Sequence, residues 1–266
     1  MLDMHEWTEG DVDSNGVNIH FYRTGQGGKP PLLLAHGLTD NGLCWARVAS
    51  VLESSFDVVM VDARNHGQSD RAPAGLKELA SDMAAVISQL GLGTAAVMGH
   101  SVGASIAASL AAHYPAQVSG VVLEDPPWKL EPRNLSAEQE KQRLEGFQSH
   151  VRSLATLKHE EIIANGRQQY PTWHDDDLPA WAASKQQVAE SAMSALQLGE
   201  WTDTVPFIQC PTLLVYASGI VTGDLARAVE ATNERVSSHQ IADAGHNVRR
   251  EQFERFVEVA QGFLEV

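Results

Sequence analysis

Gly99-His100-Ser101-Val102-Gly103 is the stretch that decides the reading of this chain. An apolar run, Ala95-Ala96-Val97-Met98, leads into it, and a small-residue helical pattern, Ala104 through Ala112, leads out and closes near Pro115. Strand, Gly-x-Ser-x-Gly and helix in succession are the context in which a serine is raised on a sharp turn at the end of a strand. The spacing has a steric reason. The positions two before and two after the serine lie where strand and helix crowd each other, and both are glycine, which has no Cβ. Such a turn lifts the Ser101 hydroxyl above the sheet. It also aims the first helical N–H groups, Val102 foremost, at a developing negative charge.

Upstream, Pro31 opens Leu32-Leu33-Leu34-Ala35, a continuous apolar run of the kind that forms a strand buried on both faces of a parallel sheet. His36-Gly37-Leu38-Thr39-Asp40 follows it. A loop at that edge lies beside the serine turn, and Gly37 lets the Leu38 N–H face it, so that Leu38 and Val102 make a two-donor oxyanion hole. His36 is read as a brace for the loop rather than a reacting group. Val17 to Tyr22 reads as an early strand, and Gly25-Gln26-Gly27-Gly28 is a turn without the strand–helix junction of a dinucleotide fingerprint. Trp45 to Leu52 reads as a helix, Val58 to Val61 as a strand, and Leu76 to Leu90 as a helical stripe. Between the last two, the polar loop Asp62 to Ser69 is expected to hold an Asp62–Arg64 ion pair, with His66 as a second brace.

Downstream, the strand Gly120 to Leu123 exits into Glu124-Asp125-Pro126-Pro127-Trp128, where two prolines stop any helix. From Lys129 to Val205 the pattern turns polar and helical. Ser136-Ala137-Glu138-Gln139 forms a capping box for a helix to roughly Leu154, and Ala180 to Leu198 is a second helical candidate. Residues 129–205 are read as a helical cap inserted into a core made of 1–128 and 206–266. Six aromatics, Trp128, Phe147, Tyr170, Trp173, Trp181 and Trp201, are available to line an apolar pocket beneath it; two or three are expected to face substrate and the rest to form the core of the cap, with Trp128, Phe147, Trp173 and Trp181 as the candidates. The core resumes with a strand, Pro211 to Ala217, a helix, Leu225 to Thr232, and a last strand, Val236 to Ala242. That strand ends at Asp243-Ala244-Gly245-His246-Asn247, before a final helix from about Glu251 to Leu264.

Composition narrows the partners. The chain has 266 residues, suiting one α/β domain or a core with one insertion, and 43% of them are hydrophobic. Acidic residues outnumber basic ones, 34 to 19, and the net charge of −15 argues against nucleic acid or an anionic membrane surface as partner. Apolar runs fall short of the roughly 18 residues needed to span a bilayer, and the start lacks the pattern of a secretory signal. Cys44 and Cys210 show neither metal spacing nor a disulfide framework and are read as reduced thiols in a cytoplasmic protein. With no His-Glu-x-x-His and no paired Cys-x-x-Cys, neither a metal nor a cofactor is expected.

Alternating strands and helices, His-Gly after an early strand, Gly-x-Ser-x-Gly and a late Gly-His together resemble the α/β-hydrolase superfamily over nearly the whole chain apart from the insertion. The resemblance implies an α/β fold with a mostly parallel eight-stranded sheet, helices on both faces and a helical cap after strand 6. It also implies Ser101 as nucleophile and His246 as general base. The chain order Ser…Asp/Glu…His leaves two places for the acid. The later strand exits into Ser218-Gly219-Ile220-Val221-Thr222-Gly223, with no carboxylate before Asp224. The earlier one exits with Glu124 and Asp125, and side chains alternate along a strand, so one of the two faces His246. Asp125, nearer the catalytic edge, is the choice, and Glu124 and Asp224 stay open as alternative acids. The Glu-Asp-Pro-Pro-Trp exit resembles the corresponding exit in lactonases that open zearalenone.

The expected function is cofactor-free hydrolysis of a small apolar carboxylic ester or lactone through an acyl-enzyme, by a monomer or homodimer. A carbon–carbon bond hydrolase on the same triad is the alternative. It needs a polar pocket, against which the tryptophan-rich insertion and its few arginines argue. A non-catalytic ligand-binding protein of this fold is the third reading. A serine at the elbow argues against the haloalkane dehalogenase and epoxide hydrolase branches, which need a carboxylate there.

Overall fold

The computed structural model describes residues 7–25, 27–131, 135–193 and 199–265. Its centre is an eight-stranded sheet. The strands are β1 (Thr8–Asp13), β2 (Asn18–Arg23), β3 (Pro31–Ala35), β4 (Asp57–Val61), β5 (Ala95–His100), β6 (Val118–Glu124), β7 (Thr212–Tyr216) and β8 (Val236–Gln240), in the spatial order β1-β2-β4-β3-β5-β6-β7-β8. β1 and β2 are antiparallel to their neighbours, and every pair from β4 through β8 is parallel. β1 is absent from the sequence reading. Its residues, Thr-Glu-Gly-Asp-Val-Asp, carry one buried apolar side chain, Val12, so an edge strand held by its ladder to β2 leaves no hydrophobic period to see.

The period of two in the central strands divides the core. Leu33, Val59, Val97 and Leu214 face one side, with α2 (Leu76–Gln89), α3 (Val102–His113) and α7 (Gly223–Thr232) over them. Leu32, Leu34, Val58, Met60, Met98, Leu213 and Val215 face the other, under α1 (Ala46–Leu52) and α9 (Phe253–Leu264). Each run is apolar throughout because both faces of the sheet are covered. Short α8 (Val248–Glu251) precedes α9. Among the described residues, no helix is long and apolar enough to cross a membrane.

Between β6 and β7 lie α4 (Ala137–Ala155), α5 (His159–Gln169) and α6 (Leu178–Gln187). α4 opens at the Ser136 capping box, whose hydroxyl accepts from the Gln139 N–H while the Gln139 side chain accepts from the Ser136 N–H. α5 was not foreseen, since Ile162 and Gly166 are its only buried residues. The candidate helix Ala180 to Leu198 ends at Gln187, and a 3₁₀ turn follows at Glu190–Ala192; residues 194–198 lie outside the described residues. The insertion is tied to the loop after β3: the Ser184 hydroxyl and the Lys185 ammonium donate to the Thr39 carbonyl, and Asn41 donates to Gln187.

The loop after β4 departs from expectation. Asp62 accepts from the Gly42 and Gln68 N–H groups at 2.6 and 2.8 Å, and Arg64 reaches α2 instead, bridging Asp82 at 2.5 and 2.7 Å. One carboxylate is spent on backbone donors, so the guanidinium finds its fork partner on a neighbouring element.

Candidate active site

Parallel strands bring the C-terminal ends of β3, β5, β6, β7 and β8 to one edge, and the site is assembled from the loops there. Ser101 follows β5 at φ 55°, ψ −119°, a conformation that a non-glycine residue holds only when its surroundings dictate it. The surroundings are the two glycines. A Cβ on Gly99 would stand 2.2 Å from the Gly103 carbonyl oxygen, and one on Gly103 would stand 2.1 Å from that of Ala35. Strand, turn and helix therefore close on each other at contact that only glycine permits.

Asp125 leaves β6 at φ 41° and is fully buried. Its Oδ2 lies 2.6 Å from His246 Nδ1. The loop after β7, which has no carboxylate at this point, presents its backbone instead: the Ile220 and Val221 N–H groups donate to Asp125 at 2.8 and 2.9 Å. The carboxylate is thus held in place by three polar contacts from two separate loops. Gly219 lets the loop come so near, since a Cβ there would sit 2.2 Å from Asp125 Oδ2. Glu124, one residue earlier, turns to the opposite side and accepts from the Arg249 N–H and guanidinium at 2.8 and 3.0 Å. Asp224 lies in the first turn of α7, exposed and paired with Arg227. Neither of these carboxylates touches His246.

His246 is carried on a loop braced by Glu251, whose carboxylate accepts from the N–H groups of Gly245 and Asn247 on either side of the histidine. The His100 Nε2–H donates to the His246 carbonyl at 3.0 Å, and the two rings lie 4.7 Å apart.

His36 Nδ1–H donates to the Gly37 carbonyl at 2.8 Å, and Nε2 accepts from the Ala63 N–H at 3.0 Å. These bonds define a neutral tautomer. They also orient the Leu38 N–H, because in a trans peptide that N–H points opposite to the Gly37 carbonyl. His66 Nε2–H holds the Leu38 carbonyl. Neither the Leu38 nor the Val102 N–H is taken by another described residue.

Burial, with His66 adjacent, pushes His36 down to about 3. Its unfolded value is about 6.5. A histidine with a depressed folded pKa contributes stability above pH 6.5 that is lost as pH falls toward 3. Wild-type protein is expected to lose a few kcal/mol through this residue between pH 7 and 4. Urea midpoints across that range should fall more steeply than those of His36→Gln, and equal slopes would refute the assignment.

Ser101, His246 and Leu38 open on a cavity of about 390 Å³. Trp173 and Trp181 line it, as does Tyr170, which stacks on Trp173 at 4.0 Å. Two candidate pocket residues lie elsewhere. Trp128 lines a neighbouring cavity of about 340 Å³ that also touches Leu38 and Val102, and its indole donates to the Ser105 hydroxyl. Phe147 packs with Val151, Val188 and Ala192 on the inner face of α4, where its helical spacing to Val151 makes it core. Trp201 is buried too, its indole donating to the Lys129 carbonyl.

Sequence reasoning missed a buried ionic cluster at the cavity. Asp40 Oδ2 accepts from Arg249 at 3.0 Å and from Arg250 at 2.9 Å, and its Oδ1 is 3.2 Å from Lys185 Nζ. Burial by itself would raise the Asp40 pKa, but Arg250, Lys185 and Arg249 outweigh it and hold the carboxyl well below the usual range. The one sequence signal was Arg249-Arg250 directly after Gly-His-Asn-Val, charged residues where the last helix turns toward the core.

Residues 30–249 match the alpha/beta hydrolase fold family, and the chain belongs to that family. N-formylmaleamate deformylase of Pseudomonas putida is 36% identical over 121 residues, 44% of this chain and 45% of that protein. Lipase LipV of Mycobacterium tuberculosis is 36% identical over 111 residues, 41% and 42% of the two chains. The chain thus matches less than half the length of these curated relatives. Among solved structures, E-2-(acetamidomethylene)succinate hydrolase superposes with a TM-score of 0.81 at 21% identity, over 98% of this chain and 100% of that one, a likeness of fold.

Proposed function

We propose that this α/β-fold hydrolase is a cofactor-free serine hydrolase of carboxylic esters or lactones, with Ser101 as nucleophile, His246 as general base and Asp125 as its partner. The observation that carries the reading is the 2.6 Å contact between His246 Nδ1 and buried Asp125, at the sheet edge where Ser101 is held at positive φ over the same cavity. In this reading, His246 Nε2 takes the Ser101 proton as Oγ attacks the carbonyl carbon, and the carbonyl electron pair moves onto oxygen. The Leu38 and Val102 N–H groups meet that oxyanion. The tetrahedral intermediate collapses, the alcohol leaves with the proton from His246, and water repeats the sequence to free the acid. In a lactone the alcohol stays joined to the acyl group, so a single hydroxy acid leaves. Residues 129–205 act as a cap that shields the acyl-enzyme. The buried free thiols of Cys44 and Cys210 suit a reducing, cytoplasmic setting.

A fluorophosphonate should label Ser101, and Ser101→Ala should lower kcat on p-nitrophenyl acetate by about 10,000-fold or more. Folded wild-type protein that takes no label, together with a Ser101→Ala variant that keeps its activity, would sink the reading.

One observation favours carbon–carbon bond hydrolysis as a second reading. The cavity wall holds Lys185 and Arg250, which give it the polarity that such a reaction needs. Turnover of a 1,3-diketone with no turnover of any ester would select it.

A further inference from the structure

We propose that the Ser101 cavity takes substrates carrying a free carboxylate, and that Arg250 anchors it. The inference deepens the hydrolase reading and rests on it for the scissile carbonyl, while the anion site stands on its own observations. Arg250 sits in α8, one helical turn beyond His246, and lines the cavity with a side chain 2% exposed. A guanidinium has five N–H donors. Here NH1 donates to Asn247 at 3.0 Å and NH2 to Asp40 at 2.9 Å, and Nε is buried without a partner among the described residues. The guanidinium lies 4.5 Å over the Trp173 ring, and the Trp173 indole N–H is likewise buried and unpartnered. Two orphan donors on touching side chains of one cavity wall are costly unless something fills them.

The charge balance says what that is. Among the described lining residues, Lys185 and Arg250 are positive and Asp40 is negative, with the histidines taken as neutral, so a chain of net charge −15 surrounds a positive cavity. Lys185 has no donor to spare, since its ammonium meets the Thr39 carbonyl, the Thr39 hydroxyl and Asp40. Arg250 is the cation with capacity left. Asp40 occupies one NH2 bond, and a planar two-oxygen acceptor matches the open part of the fork. A volume near 390 Å³, with Trp173 and Trp181 as walls, suits a small acid with a short carbon skeleton.

The test compares mono-p-nitrophenyl glutarate and adipate with their methyl esters, uncatalysed hydrolysis subtracted. Wild type should prefer at least one free acid to its methyl ester by about tenfold or more in kcat/KM. That ratio should fall toward one in Arg250→Gln and be partly restored in Arg250→Lys, a change that a merely structural role would not produce. Should Arg250→Gln fail to fold, the wild-type and Arg250→Lys ratios decide. Calorimetry on Ser101→Ala supplies the arm that needs no turnover: monomethyl glutarate or adipate should bind, and the dimethyl esters should not. Binding of the acids without turnover of any ester leaves this proposal standing and removes the hydrolase reading. Turnover of the methyl esters with no preference for, and no binding of, the acids overturns this proposal alone. Binding of inorganic phosphate in place of the carboxylates also overturns it.

Discussion

Asp125→Asn is expected to lower kcat on p-nitrophenyl acetate by about 10,000-fold while the protein stays folded. The change is isosteric, and Ile220 and Val221 can still donate to the remaining oxygen, Oδ1, at 3.1 and 2.9 Å, while the second Ile220 contact, to Oδ2, is given up. What changes is the atom facing His246. The amide nitrogen presents hydrogens, so Nδ1 of the imidazole must accept rather than donate. The ring proton then moves to Nε2, the atom that has to take the serine proton. The comparison variants separate this from general damage. Asp224→Asn touches only an exposed pair with Arg227 and should leave kcat within twofold, as surface pairs contribute roughly 0–1 kcal/mol. Glu124→Gln weakens a buried bridge to Arg249 and should show in the unfolding midpoint more than in kcat. Full activity in Asp125→Asn, with loss in Asp224→Asn, would overturn the proposed triad.

Asp40→Ala should cost about 3–5 kcal/mol of stability, the largest effect expected of a surface-to-core scan of the acidic residues. Asp40 is the shared counter-charge of Lys185, Arg249 and Arg250, all buried. Removing it leaves three cations facing one another with Glu124 as the remaining carboxylate on Arg249. Breaking one partner of a buried pair is costly even where the pair as a whole adds little, because the stranded charges have lost both water and partner. Urea denaturation reads the loss directly as a lower midpoint at unchanged slope. An unfolding free energy within 1 kcal/mol of wild type would show that the cluster is hydrated and does not depend on Asp40. The same network joins the loop after β3 to α6 and α8, so the variant should also bind substrate less well.

Much of the fold was readable because its causes are local. Leu32 to Ala35, Val58 to Val61 and Leu213 to Ala217 are apolar without a break, and a short unbroken run has one stable place, between two layers of helices. The Ser136 capping box marked the start of α4 by its own hydrogen bonds. Elements that owe their existence to neighbours were invisible: β1 is held by its ladder to β2, and α5 by Ile162 and Gly166 packed near Trp181. Phe147 and Trp128 fit an aromatic pocket by type, yet packing turns Phe147 into the core of the insertion and Trp128 to the neighbouring cavity.

The sequence by itself determined the alternation of strands and helices, the glycine-flanked turn at Ser101 and the loop that carries His246. Each follows from periodicity or from the steric demand of a residue on its immediate neighbours. Strand alternation already pointed to Asp125, with Glu124 and Asp224 open, and tertiary structure decided among the three. Strand alternation sent Glu124 to Arg249 and left Asp125 to the histidine, and a backbone loop after β7 closed around it. The cluster of Asp40, Lys185, Arg249 and Arg250 was decided there too. Its members come from distant parts of the chain, and the Coulomb attraction that joins them acts only once folding has removed the water between them.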